Sequence, residues 1–198
     1  MKSAVDALRA CNAQFCLIGG FAVSLRAEPR LTGDVDFAAA VTSDEEAEKL
    51  VHALQGRGYQ VVTILEQQVA KRLATVRFQH KDFQHPPFFL DLLFSSSGIE
   101  PEIVQRAELL EVIPGTIVPV ARREHLIAMK CLSVDERTRP RDAEDLLSLL
   151  AVASETEIKE AFAAASLIVN RGYNRDRQPL DILHDFLARL QEKNSAKT

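Results

Sequence analysis

Every segment of this chain that patterns as a β-strand ends by Val120, and from Arg122 onward the pattern is helical. Phe15–Ile18 is a short apolar run closed by Gly19-Gly20, Val35–Val41 follows a glycine-containing turn, and Tyr59–Leu65 is rich in β-branched residues. Leu73–Gln79 alternates in polarity, Phe88–Phe94 is apolar except for Asp91, and Thr116–Val120 reads as the last strand. Helices are marked by their starts. Ser43 with Glu46 and Ser154 with Glu157 are capping-box spacings ahead of apolar stripes, and Pro179 opens a helix with the stripe Leu183, Phe186, Leu187 and Leu190. A strand-rich first part followed by a helical tail predicts an α/β (α+β) chain of two small lobes, residues 1–120 and 121–198. The polar end Lys193–Thr198 is expected to fray.

The 198 residues are 46% hydrophobic and 26% charged, enough to bury a core and too apolar for a disordered chain. No apolar run approaches the ~20 residues of a membrane helix, and Asp6 and Arg9 interrupt what would be a signal peptide's apolar stretch. Cys11, Cys16 and Cys131 lack metal spacing and are odd in number, so free thiols in a reducing cytoplasm are expected. A net charge of −4 argues against general adhesion to nucleic acid, so a polyanionic partner needs a local basic patch.

The chemistry gathers around three acids. At Leu17-Ile18-Gly19-Gly20-Phe21 a strand ends, two glycines turn the chain and a helical pattern begins, which lets the backbone approach an anion such as phosphate. Thirteen residues separate Gly20 from Asp34-Val35-Asp36-Phe37. On a strand, Asp34 and Asp36 share one face about 6–7 Å apart and repel unless a cation lies between them, while Val35 and Phe37 face the core. An isolated Asp-x-Asp reads as a solvated strand end; behind a phosphate-type turn it reads as a cation site. Asp91, inside an apolar strand, must be paired, at an edge, or a metal ligand. If its strand lies beside that of Asp34 and Asp36, three carboxylates converge on a site suited to Mg²⁺ or Mn²⁺.

These elements in order, Gly19-Gly20, Thr32-Gly33-Asp34-Val35-Asp36 and a strand-borne Asp91, resemble the nucleotidyltransferase superfamily signature, and the local text is similar to AbiEii/AbiGii-type toxin nucleotidyltransferases. Lys130, followed by Arg141-Asp142-Ala143-Glu144-Asp145-Leu146, adds a second match to that group. The resemblance implies a polymerase β-like mixed-sheet catalytic lobe with a C-terminal helical lobe. It further implies metal-dependent transfer of a nucleoside monophosphate from an NTP to an acceptor hydroxyl, with pyrophosphate released. The resemblance implies two divalent ions held by Asp34 and Asp36, with Asp91 completing the second ion's site and helping to deprotonate the attacking hydroxyl, and with Lys130 a cation on the triphosphate. Toxin-like members imply an acceptor that is tRNA or a protein, and an antitoxin partner. The superfamily's serine at Gly20 or Phe21 is missing, which leaves phosphate binding to backbone N–H groups and arginines.

Arg26 and Arg30, which flank the glycine helix, are read as triphosphate contacts, and Thr32 as fixing the loop before Asp34. Asp142 falls in a helix's first turn, either as a favourable charge on the dipole or as a site residue. Arg137, Arg139 and Arg141 are read as phosphate contacts or as a solvated loop. His52 and His184 stand alone, His80 and His85 flank a turn, and Phe83–Phe94 with Pro86-Pro87 reads as core and loop. Two other outcomes stay open: transfer to a small molecule, as in aminoglycoside nucleotidyltransferases, and a silent nucleotide- or protein-binding module on the same fold.

Overall fold

The computed structural model describes residues 1–67, 71–82 and 88–195, the last stretch without the side chain of Asn194. Phe83, His85 and Pro86-Pro87, and the last three residues of the polar end, lie outside the described residues. Among the described residues seven strands form one sheet: β1 (Phe15–Ile18), β2 (Asp34–Ala39), β3 (Tyr59–Gln67), β4 (Arg72–His80), β5 (Phe89–Leu93), β6 (Glu108–Ile113) and β7 (Thr116–Val120). Eight helices accompany them: α1 (Lys2–Ala10), α2 (Gly19–Arg26), α3 (Asp44–Gln55), α4 (Glu100–Gln105), α5 (Arg123–Ser133), α6 (Pro140–Ala151), α7 (Glu155–Asn170) and α8 (Pro179–Ser195). All six expected strands are present within two residues of their expected ends. Strand β6 and helices α1 and α4 were not anticipated. Ala4, Val5 and Leu8 of α1 are buried one turn apart, a spacing readable in the sequence, whereas α4 is too short to show a period. Helix α8 continues to Ser195, so the chain is helical where fraying was expected from Lys193.

The strand order is β3-β4-β5-β2-β1-β7-β6, with β2 parallel to β5, β1 parallel to β7 and the remaining pairs antiparallel. Register separates the core from the site. Val76, Leu92 and Phe37 lie side by side on β4, β5 and β2, as do Phe78, Leu90 and Val35, and all six are buried. Phe15 meets Phe37 edge to face, with ring centroids 5.3 Å apart. Each such large side chain contributes about 1.5–3 kcal/mol on burial. Because side chains alternate, the row between these two, Arg77, Asp91 and Asp36, is turned to the other face.

The caps act as read, with one difference. Ser154 Oγ accepts from the Glu157 N–H and the Glu157 carboxylate accepts from the Ser154 N–H, a closed box. Ser43 accepts from the Glu46 N–H, but the Glu46 carboxylate turns to the N–H and hydroxyl of Thr42, so that box closes one residue early. Ser154→Ala is expected to cost about 1 kcal/mol in urea denaturation, because the first turn of α7 loses its acceptor. Beyond Val120 all elements are helical, yet one buried apolar cluster runs from Ala4 on α1 to Phe186 on α8. Cys16 and Cys131 belong to that cluster, and burial pushes both thiols up to about 12. No helix of the described residues is long and apolar enough to cross a membrane.

Candidate active site

Strand β1 ends at Ile18, the in-register neighbour of Asp36, and α2 starts at once with Gly19 and Gly20. The turn has no room for side chains. A Cβ on Gly19, at φ +63°, would lie 2.0 Å from Asp36 Oδ2, and one on Gly20 would lie 2.8 Å from Arg30 Nη2. No side chain caps α2, so its first N–H donors remain available to an anion beside Asp36.

Asp34 and Asp36 project from β2 on the face opposite the buried Val35 and Phe37, as alternation requires. The parallel pairing of β2 with β5 sets Asp91 directly beside Asp36, so the three expected acids are brought together. Burial first, and then the Asp91 charge, push the Asp36 carboxyl up to about 7, against the opposing pull of Lys130. Asp91 is committed elsewhere. Arg77 on β4 grips it with two charge-assisted bonds, Nε to Oδ1 at 2.7 Å and Nη2 to Oδ2 at 2.6 Å, and the same Nη2 reaches Asp34 Oδ2 at 3.3 Å. No group of three acidic, histidine or cysteine side chains among the described residues is arranged to hold one metal ion. Asp34 and Asp36 offer hard carboxylate oxygens of the kind Mg²⁺ or Mn²⁺ takes, whereas both oxygens of Asp91 meet a guanidinium.

The helical half supplies the opposite wall. Lys130 Nζ, near the end of α5, pairs with Asp142 at 2.5 Å and Asp145 at 2.7 Å, both on α6. Asp145, only 1% exposed at its side chain, also receives Arg30 Nε at 2.5 Å and Nη2 at 2.8 Å. Burial raises the Asp145 carboxyl, but the bonds from Arg30 and Lys130 outweigh it and hold the group below the ordinary aspartate value. Thr32 Oγ1 donates to the Asp34 carbonyl at 3.4 Å, tying down the loop as read from the sequence. Except for Asp145, these residues line an open cleft of about 1300 Å³, whose wall also holds Arg139 and Arg141.

Arg26 is placed elsewhere. Its guanidinium bonds Glu108 at 2.7 Å and the carbonyls of Ala121 and Val120, outside the cleft, because it sits at the far end of α2 from the two glycines. Arg137 is exposed and does not line the cleft. Arg77 and Arg175 were not anticipated, and Asp145 stood in the second motif without a role of its own. Arg77 lies on the polar face of an alternating strand, but only register shows that it meets Asp91. Asp145 falls three residues after Asp142 and one before the buried Leu146, so its place on the inner face of α6 was readable. Arg175, between α7 and α8, reaches the cleft by bonding the Ser96 carbonyl at 2.5 Å, a long-range contact with no local signal.

Residues 5–198 match the family described as "Nucleotidyl transferase AbiEii toxin, Type IV TA system". The chain belongs to this family. It is a nucleotidyltransferase, and the expected reaction class stands. Among solved structures, an antigenic nucleotidyltransferase-like protein from Paracoccidioides brasiliensis is 19% identical, with a TM-score of 0.51 over 91% of this chain and 88% of that one. The antibiotic-resistance factor ANT(2'')-Ia is 16% identical, with a TM-score of 0.49 over 98% and 91%. MenT4, a nucleotidyltransferase toxin from Mycobacterium tuberculosis, is 18% identical, with a TM-score of 0.45 over 76% and 56%. At these identities the fungal structure supports the nucleotidyltransferase fold alone. No curated protein matches the chain.

Proposed function

We propose that this AbiEii-family chain transfers a nucleoside monophosphate from an NTP to a hydroxyl of tRNA or of a protein, releasing pyrophosphate, and that it acts in the cytoplasm with an antitoxin as partner. The observation that carries the reading is the face shared by Asp34 and Asp36 beside the uncapped start of α2. That face sets anionic oxygens for a divalent cation beside N–H donors for phosphate, because Ile18 pairs with Asp36.

The triphosphate lies along Gly19 and Gly20, where the absence of side chains lets its oxygens approach the first N–H groups of α2. Lys130 and Arg30 face it from the opposite wall, and Asp145 holds both cations at fixed positions. Asp34 and Asp36 would hold Mg²⁺ or Mn²⁺, which would supply charge neutralisation at the reacting phosphate. Asp91, beside Asp36, orients the acceptor hydroxyl and takes its proton as the new O–P bond forms and the bond to pyrophosphate breaks. Asp142 positions Lys130 from the other side. Arg26 has no part in this reading. Residues 1–120 act as the catalytic lobe and 121–198 as the helical lobe. This division is supported by the last strand's end at Val120 and by the origin of Lys130, Asp142 and Asp145 in α5 and α6.

The test is label transfer from each α-phosphate-labelled NTP into total cellular RNA and protein, with Mg²⁺ or with chelator. Label in RNA or protein is expected, lost on chelation and in Asp36→Ala. Mg²⁺-dependent nucleotide binding with no labelled macromolecule would replace this reading by a small-molecule acceptor or a silent binding module.

A further inference from the structure

A two-cation site needs its third carboxylate free, and here that carboxylate is already bridged to the first by a cation of the protein's own. Arg77, Asp91 and Asp36 stand in one row across β4, β5 and β2. Both Asp91 oxygens accept from Arg77, and the nitrogen bound to Oδ2 also reaches Asp34 Oδ2. The guanidinium thus lies between Asp91 and Asp34, where a second divalent ion shared by those two carboxylates would have to be. It is attracted from a second direction, because the guanidinium carbon lies over the Phe89 ring, 5.2 Å from its centroid. The Asp91 side chain is 13% exposed, so little water competes for its oxygens. Asp36, in contrast, has no ion pair among the described residues.

We infer that Arg77 is a built-in substitute for the second metal ion, so that the free protein takes one divalent cation, at Asp34 and Asp36, and not two. The inference rests on the metal reading of the proposed function and narrows it. A guanidinium carries one positive charge in a fixed fork and cannot leave by dilution, so it neutralises Asp91 at every metal concentration. A divalent ion entering between Asp91 and Asp34 would have to displace two short charge-assisted bonds. It would also stand a few ångströms from the displaced cation, which the attraction to the Phe89 ring keeps near. Arg77 is a positioning residue in this account: it fixes Asp91 toward the acceptor and sets the cation count.

Counting bound Mn²⁺ by electron paramagnetic resonance on the full chain without nucleotide tests this directly. The wild type is expected to bind one ion and Arg77→Gln two, the second at least about tenfold tighter than any residual second binding to the wild type. Arg77→Lys, which keeps the charge, is expected to stay at one. Adding Asp91→Asn to Arg77→Gln is expected to return the count to one, which locates the extra ion at Asp91. Two ions on the wild type would overturn the inference, as would one ion on a folded Arg77→Gln. If Arg77→Gln fails to fold, the wild-type count decides alone. No ion on the wild type would instead overturn the metal reading, with the inference falling beside it, and a normal single ion lost in Asp36→Asn would confirm that reading independently.

Discussion

Asp36→Asn is expected to abolish nucleotidyl transfer, by about a thousandfold or more, while making the metal-free protein more stable. The loss follows from the proposed function, in which Asp36 is one of two carboxylates that would hold a divalent cation beside the glycine turn. The gain follows from electrostatics. Burial and the neighbouring Asp91 raise the Asp36 carboxyl from 3.8 to about 7, so the folded state holds a proton that the unfolded chain releases in between. Stability of the wild type therefore falls as pH rises through that window, and a neutral asparagine does not share the fall. At pH 8 in chelator the variant is expected to gain about 1–3 kcal/mol, seen as a rise of about 2–4 °C in Tm per kcal/mol for a chain of this size. Near pH 4 the gain disappears. Mg²⁺ is expected to raise the wild-type Tm and leave the variant's unchanged. Thermal denaturation at the two pH values with the label-transfer assay checks all of this, and a variant that is less stable yet still active would remove Asp36 from the site.

Asp145→Ala is expected to be the most damaging single change among the residues that hold the cleft's cations in place. The carboxylate is buried and neutralises both Arg30 and Lys130. Removing it leaves two half-buried cations facing each other, and breaking a buried charge network in this way costs about 3–5 kcal/mol, or about 10 °C in Tm. Asp142 still holds Lys130, so the larger share of the loss falls on Arg30. Asp145→Asn keeps the volume and is expected to lose less stability, but, on the proposed function, to raise the KM for NTP about tenfold because Arg30 loses its fixed position and Lys130 keeps only Asp142. An unchanged Tm and KM would show that neither cation depends on this carboxylate.

Local sequence set the short-range grammar of the fold and named the groups proposed to react. Strand, glycine turn and helix at Phe15–Arg26 follow from an apolar run that meets two glycines, and the outward face of Asp34 and Asp36 follows from alternation around Val35 and Phe37. The completed cap at Ser154 and the inner stripe of α8 are equally local, since each depends on residues within one or two helical turns. Tertiary structure decided everything that depends on which strands are neighbours. Asp91 joins the other two acids only because β5 pairs in parallel with β2, and Arg77 reaches it only because β4 pairs antiparallel with β5 in that register. A shift of one residue would have turned Arg77 into the core and left the acid unpartnered. Arg26 shows the same limit from the other side. It lies six residues from Gly20 and carries the expected charge, yet its side chain leaves α2 toward Glu108 on β6, a strand the sequence reading did not find. Spacing along a chain fixes which face a side chain takes, because backbone geometry is local. What waits on that face is set by pairing and packing between segments distant in sequence.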